Sequence, residues 1–118
     1  MRYMKKFVVI YRVPVETMQE WKKTTPPEEM KKQGEELGKK MMVWMKKNEK
    51  AFVEKGLPLG KNIRLTKEGA KAEPNDLNYF CVVEADSADA VAEIFRDNPH
   101  FDIPTSYVDI MEVPHMGL

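Results

Sequence analysis

The residues of this chain best suited to proton chemistry are His100 and Asp109. His100 follows Asn98-Pro99 and has Asp97 and Asp102 close on either side. A carboxylate beside an imidazole fixes its tautomer and raises its basicity, which suits a general base near neutral pH. The competing assignment is a histidine at a helix C-terminus, where its charge complements the dipole. Asp109 lies two residues from Tyr107, and strand alternation places both on one sheet face, together with Tyr11. An acid on an apolar face needs a partner, which Arg12 or Arg64 could supply, and a carboxylate buried there is a recognised functional signature. A place at the sheet edge or in a dimer contact would explain Asp109 equally well. Trp44, with Met41 and Met45, could line a pocket between a long helix and the sheet, although methionines at helical spacing also serve as plain core. Catalytic candidates are therefore His100 and Asp109, and ligand-binding candidates are Tyr11, Arg12, Trp21, Trp44, Asn48 and Tyr107.

Other chemistries are disfavoured. His100 and His115 are not at a metal-ligand spacing and there is no Cys/His cluster, so no metal is expected. Phosphate-loop and dinucleotide signatures are missing, and no cofactor is expected. Cys81, the only cysteine, sits in an apolar run, as a small buried hydrophobe rather than a nucleophile would. A formal net charge of +0 offers no field to attract nucleic acid or an anionic membrane. With 118 residues, 42% hydrophobic and 32% charged, residues 1–118 should form a single soluble domain with its own core. The opening is charged and the apolar run after it is too short for a signal core or a membrane span, so the expected location is the cytoplasm.

The elements that must position these residues are legible in outline. Phe7–Tyr11, Tyr79–Val83 and Tyr107–Val113 are β-branched and aromatic runs that predict strands. Val15–Thr24 carries Met18 and Trp21 at the spacing of a helical turn, and reads either as a lid over a groove or as a loop pinned by Trp21. Thr25-Pro26-Pro27-Glu28 has the pattern of a capping box, opening a helix that can run to Lys55 with Gly56 as its left-handed stop. Gly34 and Gly38 near its apolar stripe suggest close approach of a backbone or ligand, or a bend. Asn62–Thr66 alternates as a half-exposed strand, Lys67–Asp76 reads as a loop, and Asp86-Ser87 caps a second helix that buries Ala88, Val91, Ala92 and Phe95.

This order, β-α-β-β-α-β, predicts an α+β domain of the ferredoxin-like kind: a four-stranded antiparallel sheet with both helices on one face. Alternation places Val8, Ile10, Phe80, Val82, Val108 and Ile110 on one side. Phe7, Val9, Tyr11, Tyr79, Cys81, Val83, Tyr107 and Met111 fall on the other. Both sets are largely apolar, and two helices cover only one, so a two-fold, sheet-to-sheet homodimer is expected.

Several strings carry a family resemblance. Gly56-Leu57-Pro58-Leu59-Gly60, Asn78-Tyr79-Phe80, Val83-Glu84-Ala85-Asp86-Ser87, Asp97-Asn98-Pro99-His100-Phe101 and Val108–Val113 resemble the YCII-related group of dimeric α+β barrel proteins over nearly the whole chain. The resemblance implies the same fold, a homodimer, and small-molecule chemistry of diverse kinds. The histidine that the founding members carry near the start of the long helix has no counterpart in Thr24–Lys32. Lys71–Asp76 stands where a related branch has Asp-Gly-Pro-Phe. Two functions are consistent with this sequence. One is a small-molecule binder or enzyme with acid–base chemistry in a pocket between sheet and long helix. The other is a non-catalytic dimeric structural or interaction module.

Overall fold

The computed structural model describes residues 4–114. Strand β1 (Lys5–Arg12) is followed by helices α1 (Val15–Thr24) and α2 (Pro27–Lys47) and by strand β2 (Phe52–Pro58). Strands β3 (Ile63–Thr66), β4 (Gly69–Ala72) and β5 (Leu77–Ala85), helix α3 (Ala88–Phe95) and strand β6 (Tyr107–Glu112) complete the order. The main sheet has four antiparallel strands in the order β2-β5-β1-β6, and β3 and β4 form a separate hairpin.

The core lies on one face of the sheet. Phe7, Val9 and Tyr11 of β1 and Cys81, Val83 and Ala85 of β5 pack under Trp44 of α2 and Val91 and Phe95 of α3. Trp44 and Phe95 meet at 4.9 Å between ring centroids, and Phe52 joins them edge-on to Trp44 at 5.9 Å. Burying these rings supplies roughly 1.5–3 kcal/mol per large side chain. Cys81 is buried as expected, and burial pushes its thiol up to about 12, away from any nucleophilic role at neutral pH. Helix α3 also begins as expected: Ser87 Oγ accepts from the Ala90 N–H at 3.1 Å.

The long helix differs from expectation at both ends. It starts at Pro27, and no side-chain cap bond forms: Pro26, held extended by the proline after it, becomes the N-cap and has no side-chain acceptor. It stops at Lys47, eight residues before Lys55. There Asn48 folds back, its Nδ2 donating to the Trp44 carbonyl at 2.9 Å and its N–H to Met45 and Trp44. The β-prone Phe52-Val53 then enters a strand. Gly56 is consequently a strand glycine at φ 86°, at an irregularity in the β2–β5 ladder where a Cβ would run into the Phe80 carbonyl. Gly34 and Gly38 are open, with nothing near a Cβ, so close approach does not explain them.

Two further corrections concern the sheet. Asn62–Thr66 does not join the main sheet. Most of it forms β3, which pairs with β4 from within the expected Lys67–Asp76 loop, and β2 takes the sheet position instead. The phase of β6 is also reversed, since Val9 lies opposite Ile110 and Tyr11 opposite Val108. Val108 and Ile110 therefore share the core face with Tyr11, while Tyr107, Asp109 and Met111 share the open face with Val8, Ile10 and Arg12. A one-residue shift exchanges every side chain of a strand between faces. Val15–Thr24 is a full helix that buries none of its residues.

Replacing Gly56 with alanine should destabilise the fold by about 2–4 kcal/mol, combining positive-φ strain with overpacking. Gly38→Ala should stabilise it by about 0.5–1 kcal/mol through helix propensity alone. Urea unfolding of both variants checks the pair, and a neutral Gly56→Ala would contradict the strand assignment.

Candidate functional site

Where β1 ends, its last two residues point to opposite sides of the sheet and build two polar clusters. On the open side, Arg12 donates through Nη1 to Asp109 Oδ2 at 3.0 Å. Its Nε is buried, lies 3.7 Å from Asp76 Oδ1, and makes no hydrogen bond. Tyr107, opposite Arg12 across the β1–β6 ladder, donates its hydroxyl to Asp76 Oδ2 at 2.6 Å, and this bond raises the phenol above its ordinary value. Asp76 is held in place by its own backbone, whose carbonyl accepts from Val13 N–H at 3.0 Å. The β1–β5 register slips between Tyr11 and Arg12, the kind of irregularity that re-aims a side chain.

On the core side, Tyr11 accepts from Asn98 Nδ2 at 3.0 Å, and its ring meets His100 at 5.0 Å between centroids. Burial pushes the Tyr11 phenol well above its usual range. Asn98 also accepts from the His100 backbone N–H at 2.8 Å, which caps the 3-10 turn Pro99–Asp102. His100 Nε2 lies 3.0 Å from the Arg12 carbonyl, and since a carbonyl only accepts, Nε2 carries the proton. Burial lowers the His100 pKa, and hydrogen bonds to the backbone of Arg12 and Tyr107 oppose this in part.

The carboxylates expected beside His100 bind elsewhere. Asp97 accepts from Trp44 Nε1 at 2.9 Å, and Asp102 pairs with Lys40 at 3.1 Å. The raised basicity anticipated for His100 is thus replaced by a lowered one, with desolvation as its cause. A neutral imidazole in the core also does not match a charged cap on a helix dipole.

The structure therefore brings Arg12, Tyr107 and Asp109 together on the open face, and Tyr11 with His100 on the core face. Tyr11 does not share a face with Tyr107 and Asp109. Asn48 ends α2, and Trp44 belongs to the aromatic core, which fills the region between α2 and the sheet. Trp21 lies apart, donating from Nε1 to Gln33 Oε1 at 2.7 Å. Helix α1 is tethered a second time by Thr17 to Thr105, 2.6 Å between hydroxyls. Thr105 has φ 61°, an unusual backbone for a β-branched residue, just before β6. Beyond Trp44 a cleft of about 700 Å³ opens between α2 and the loop after α3, with Lys39, Lys40, Lys47 and Arg96 on its rim. Sequence reasoning missed Asp76 and Asn98. Asp76 stood in an apparent loop, and Asn98 looked only like a helix terminator.

No protein-family model matches the chain, and no curated protein matches it. Among the described residues there is no group of side chains that could hold a metal ion, and no helix is long and apolar enough to cross a membrane.

The lowered His100 pKa has a definite sign. The unfolded chain takes up the His100 proton near pH 6.5 while the folded chain resists it, so stability is full above that pH and falls on acidification toward the folded pKa. Urea midpoints of the parent should drop between pH 7.5 and 5.5, and His100→Gln should flatten that slope. Parallel slopes in the two proteins would rule out His100 as its source.

Proposed function

We propose that the protein is a ferredoxin-like homodimer that binds a small neutral oxo or hydroxy compound at the Arg12, Asp76, Tyr107 and Asp109 cluster. The observation that carries this is the Arg12 Nε–H, which makes no hydrogen bond although it lies 3.7 Å from Asp76 Oδ1. A ligand oxygen brought between Arg12 and Asp76 would give that donor the short, directed acceptor that Asp76 does not. One arginine and two aspartates give the cluster a formal charge of −1, which disfavours an anion and favours a neutral molecule. Arg12 would polarise the ligand oxygen, while Asp109 and Tyr107, whose one hydroxyl proton is held by Asp76, would accept hydrogen bonds from a ligand hydroxyl. His100 positions this site through the Arg12 carbonyl and does not face it.

The open face supports pairing. Val8, Ile10, Phe80 and Val82 form an apolar patch on the side away from the helices, extended by exposed Leu57 and Met111. A second copy laid sheet to sheet would cover that patch and enclose the cluster at its end. The strand order β2-β5-β1-β6 supports the ferredoxin-like assignment, and with it the resemblance to the YCII-related group. A free, buried Cys81 suits the reducing cytoplasm. The filled aromatic region under α2 favours the second reading, a non-catalytic dimeric module in which the cluster only sets the register of the pair.

Sedimentation tests the pairing that both readings share, and spectroscopy separates the two. In sedimentation the parent should be a dimer at micromolar concentration, and Ile10→Lys should make it monomeric. In nitrogen–proton spectra, small oxo and hydroxy compounds that raise the melting temperature should move the Arg12 Nε–H signal, and Arg12→Lys should weaken their binding by about tenfold or more. Compounds that stabilise the fold while leaving that signal in place would leave only the module.

A further inference from the structure

The cleft beside Trp44 belongs to neither polar cluster. One wall is the side of α2 that carries Lys39, Val43 and Lys47, and the other is the segment Arg96–Asp102. Two bonds join the walls and hold them at a fixed spacing: Trp44 Nε1 donates to Asp97 Oδ1 at 2.9 Å, and Lys40 Nζ to Asp102 Oδ2 at 3.1 Å. The second wall is fixed from behind as well. Asn98 and His100 of the same segment turn inward, to the Tyr11 hydroxyl and the Arg12 carbonyl. Between these walls Val43 stays 72% and Phe101 46% exposed. Single exposed apolar side chains are ordinary on a surface. Here Val43, Pro99 and Phe101 line one space of about 700 Å³, within the roughly 300–1,000 Å³ of small-molecule sites.

The charges of the cleft are unequal. Lys39, Lys40, Lys47 and Arg96 line it against two carboxylates, Asp97 and Asp102. Asp102 pairs with Lys40. Asp97 accepts from Trp44 and reaches Lys47 only at 3.9 Å. Arg96 pairs with Glu93, which lies outside the lining, at 3.3 Å. Among the described residues Lys39 has no ion pair, and Glu35, one turn earlier on α2, does not supply one. Lys39 and Lys47 stand one helical turn to either side of Val43, about 12 Å apart along the axis. The least engaged cations thus flank the apolar wall.

We infer that this cleft binds an amphipathic organic anion, an aryl- or alkyl-carboxylate. Its apolar body lies against Val43, Pro99 and Phe101, and its carboxylate meets Lys39 or Lys47. Other classes use only part of the lining. A bare phosphate or sulfate leaves the apolar wall empty, and a neutral apolar molecule leaves the surplus of cations unmatched. An organic cation meets two carboxylates already engaged by Lys40 and Trp44. The cleft lies on the helix side of the sheet, so it depends neither on the pairing nor on the ligand proposed above.

Nitrogen–proton spectra of the full chain test the site. The Trp44 indole N–H is the reporter, and the Trp21 indole N–H, bonded to Gln33, is the internal control. Phenylbutyrate should move the Trp44 signal and leave that of Trp21 in place. Phenylbutylamine, the same body carrying a cation, should bind about tenfold more weakly or worse, with phenylbutanol between the two. Val43→Asp, at an exposed position, should keep the circular dichroism of the parent and abolish the shift. Lys39→Glu should narrow the preference for the carboxylate over the amine. A Trp44 signal that phenylbutyrate leaves in place, or moves no more than that of Trp21, overturns the site. So does a Val43→Asp or Lys39→Glu variant that binds like the parent. An amine that binds as tightly as the carboxylate overturns the anion.

Discussion

Strand β1 is paired on both edges, to β5 and β6, and only one of its faces is covered by helices. Once Phe7, Val9 and Tyr11 are committed to the core, the period of two sends Val8, Ile10 and Arg12 to the other side. Each neighbouring strand inherits that choice, because directly opposed residues share a face. The core, the open face and both polar clusters are consequences of this single alternation. Where β1 ends, the peptide joining Tyr11 to Arg12 belongs to both sides. His100 binds its carbonyl from the core while the Arg12 side chain reaches Asp109 on the other face.

Much of this was legible because β1, β5 and β6 are dense in β-branched and aromatic residues and have breakers at or near their ends. The Ser87 cap was legible because its bond is local. What failed depended on relations that no single segment contains. The capping box at Thr25 was undone by Pro27, which holds Pro26 extended and moves the cap onto a residue with no side-chain acceptor. Asn48 reads as a polar residue on an apolar stripe until its side chain is seen closing the last turn. Gly56 suits a helix stop and a strand irregularity equally, and only the nearby Phe80 carbonyl separates the two.

The site was half legible for the same reason. Arg12, Tyr107 and Asp109 could be named from residue type, but their companions could not, since the phase of β6 is set by its register with β1. With that phase reversed, Tyr11 leaves the group and Asp76 enters it from a segment that looked featureless. His100 shows the opposite failure. Its sequence neighbours suggested a carboxylate partner, yet Asp97 and Asp102 turn toward Trp44 and Lys40. Proximity along a chain is weak evidence for contact at a turn, where successive side chains diverge.

The two polar clusters also differ in what their energetics permit. Tyr11, Asn98 and His100 form a buried and closed set, in which bonds between neutral groups fix one geometry and burial holds the protons in place. Such a set gives rigidity and resists change of charge. The Arg12 cluster is part-exposed and ionic, and has a donor left over. In water its ion pairs contribute little to stability, so stability alone is a poor reason for them on an apolar face. Covering that face would raise the strength of every interaction in the cluster. Under the proposal above, assembly and ligand binding would then be coupled: a second copy would strengthen the ion pairs, and a ligand oxygen would meet the Nε–H that Asp76 leaves without a hydrogen bond.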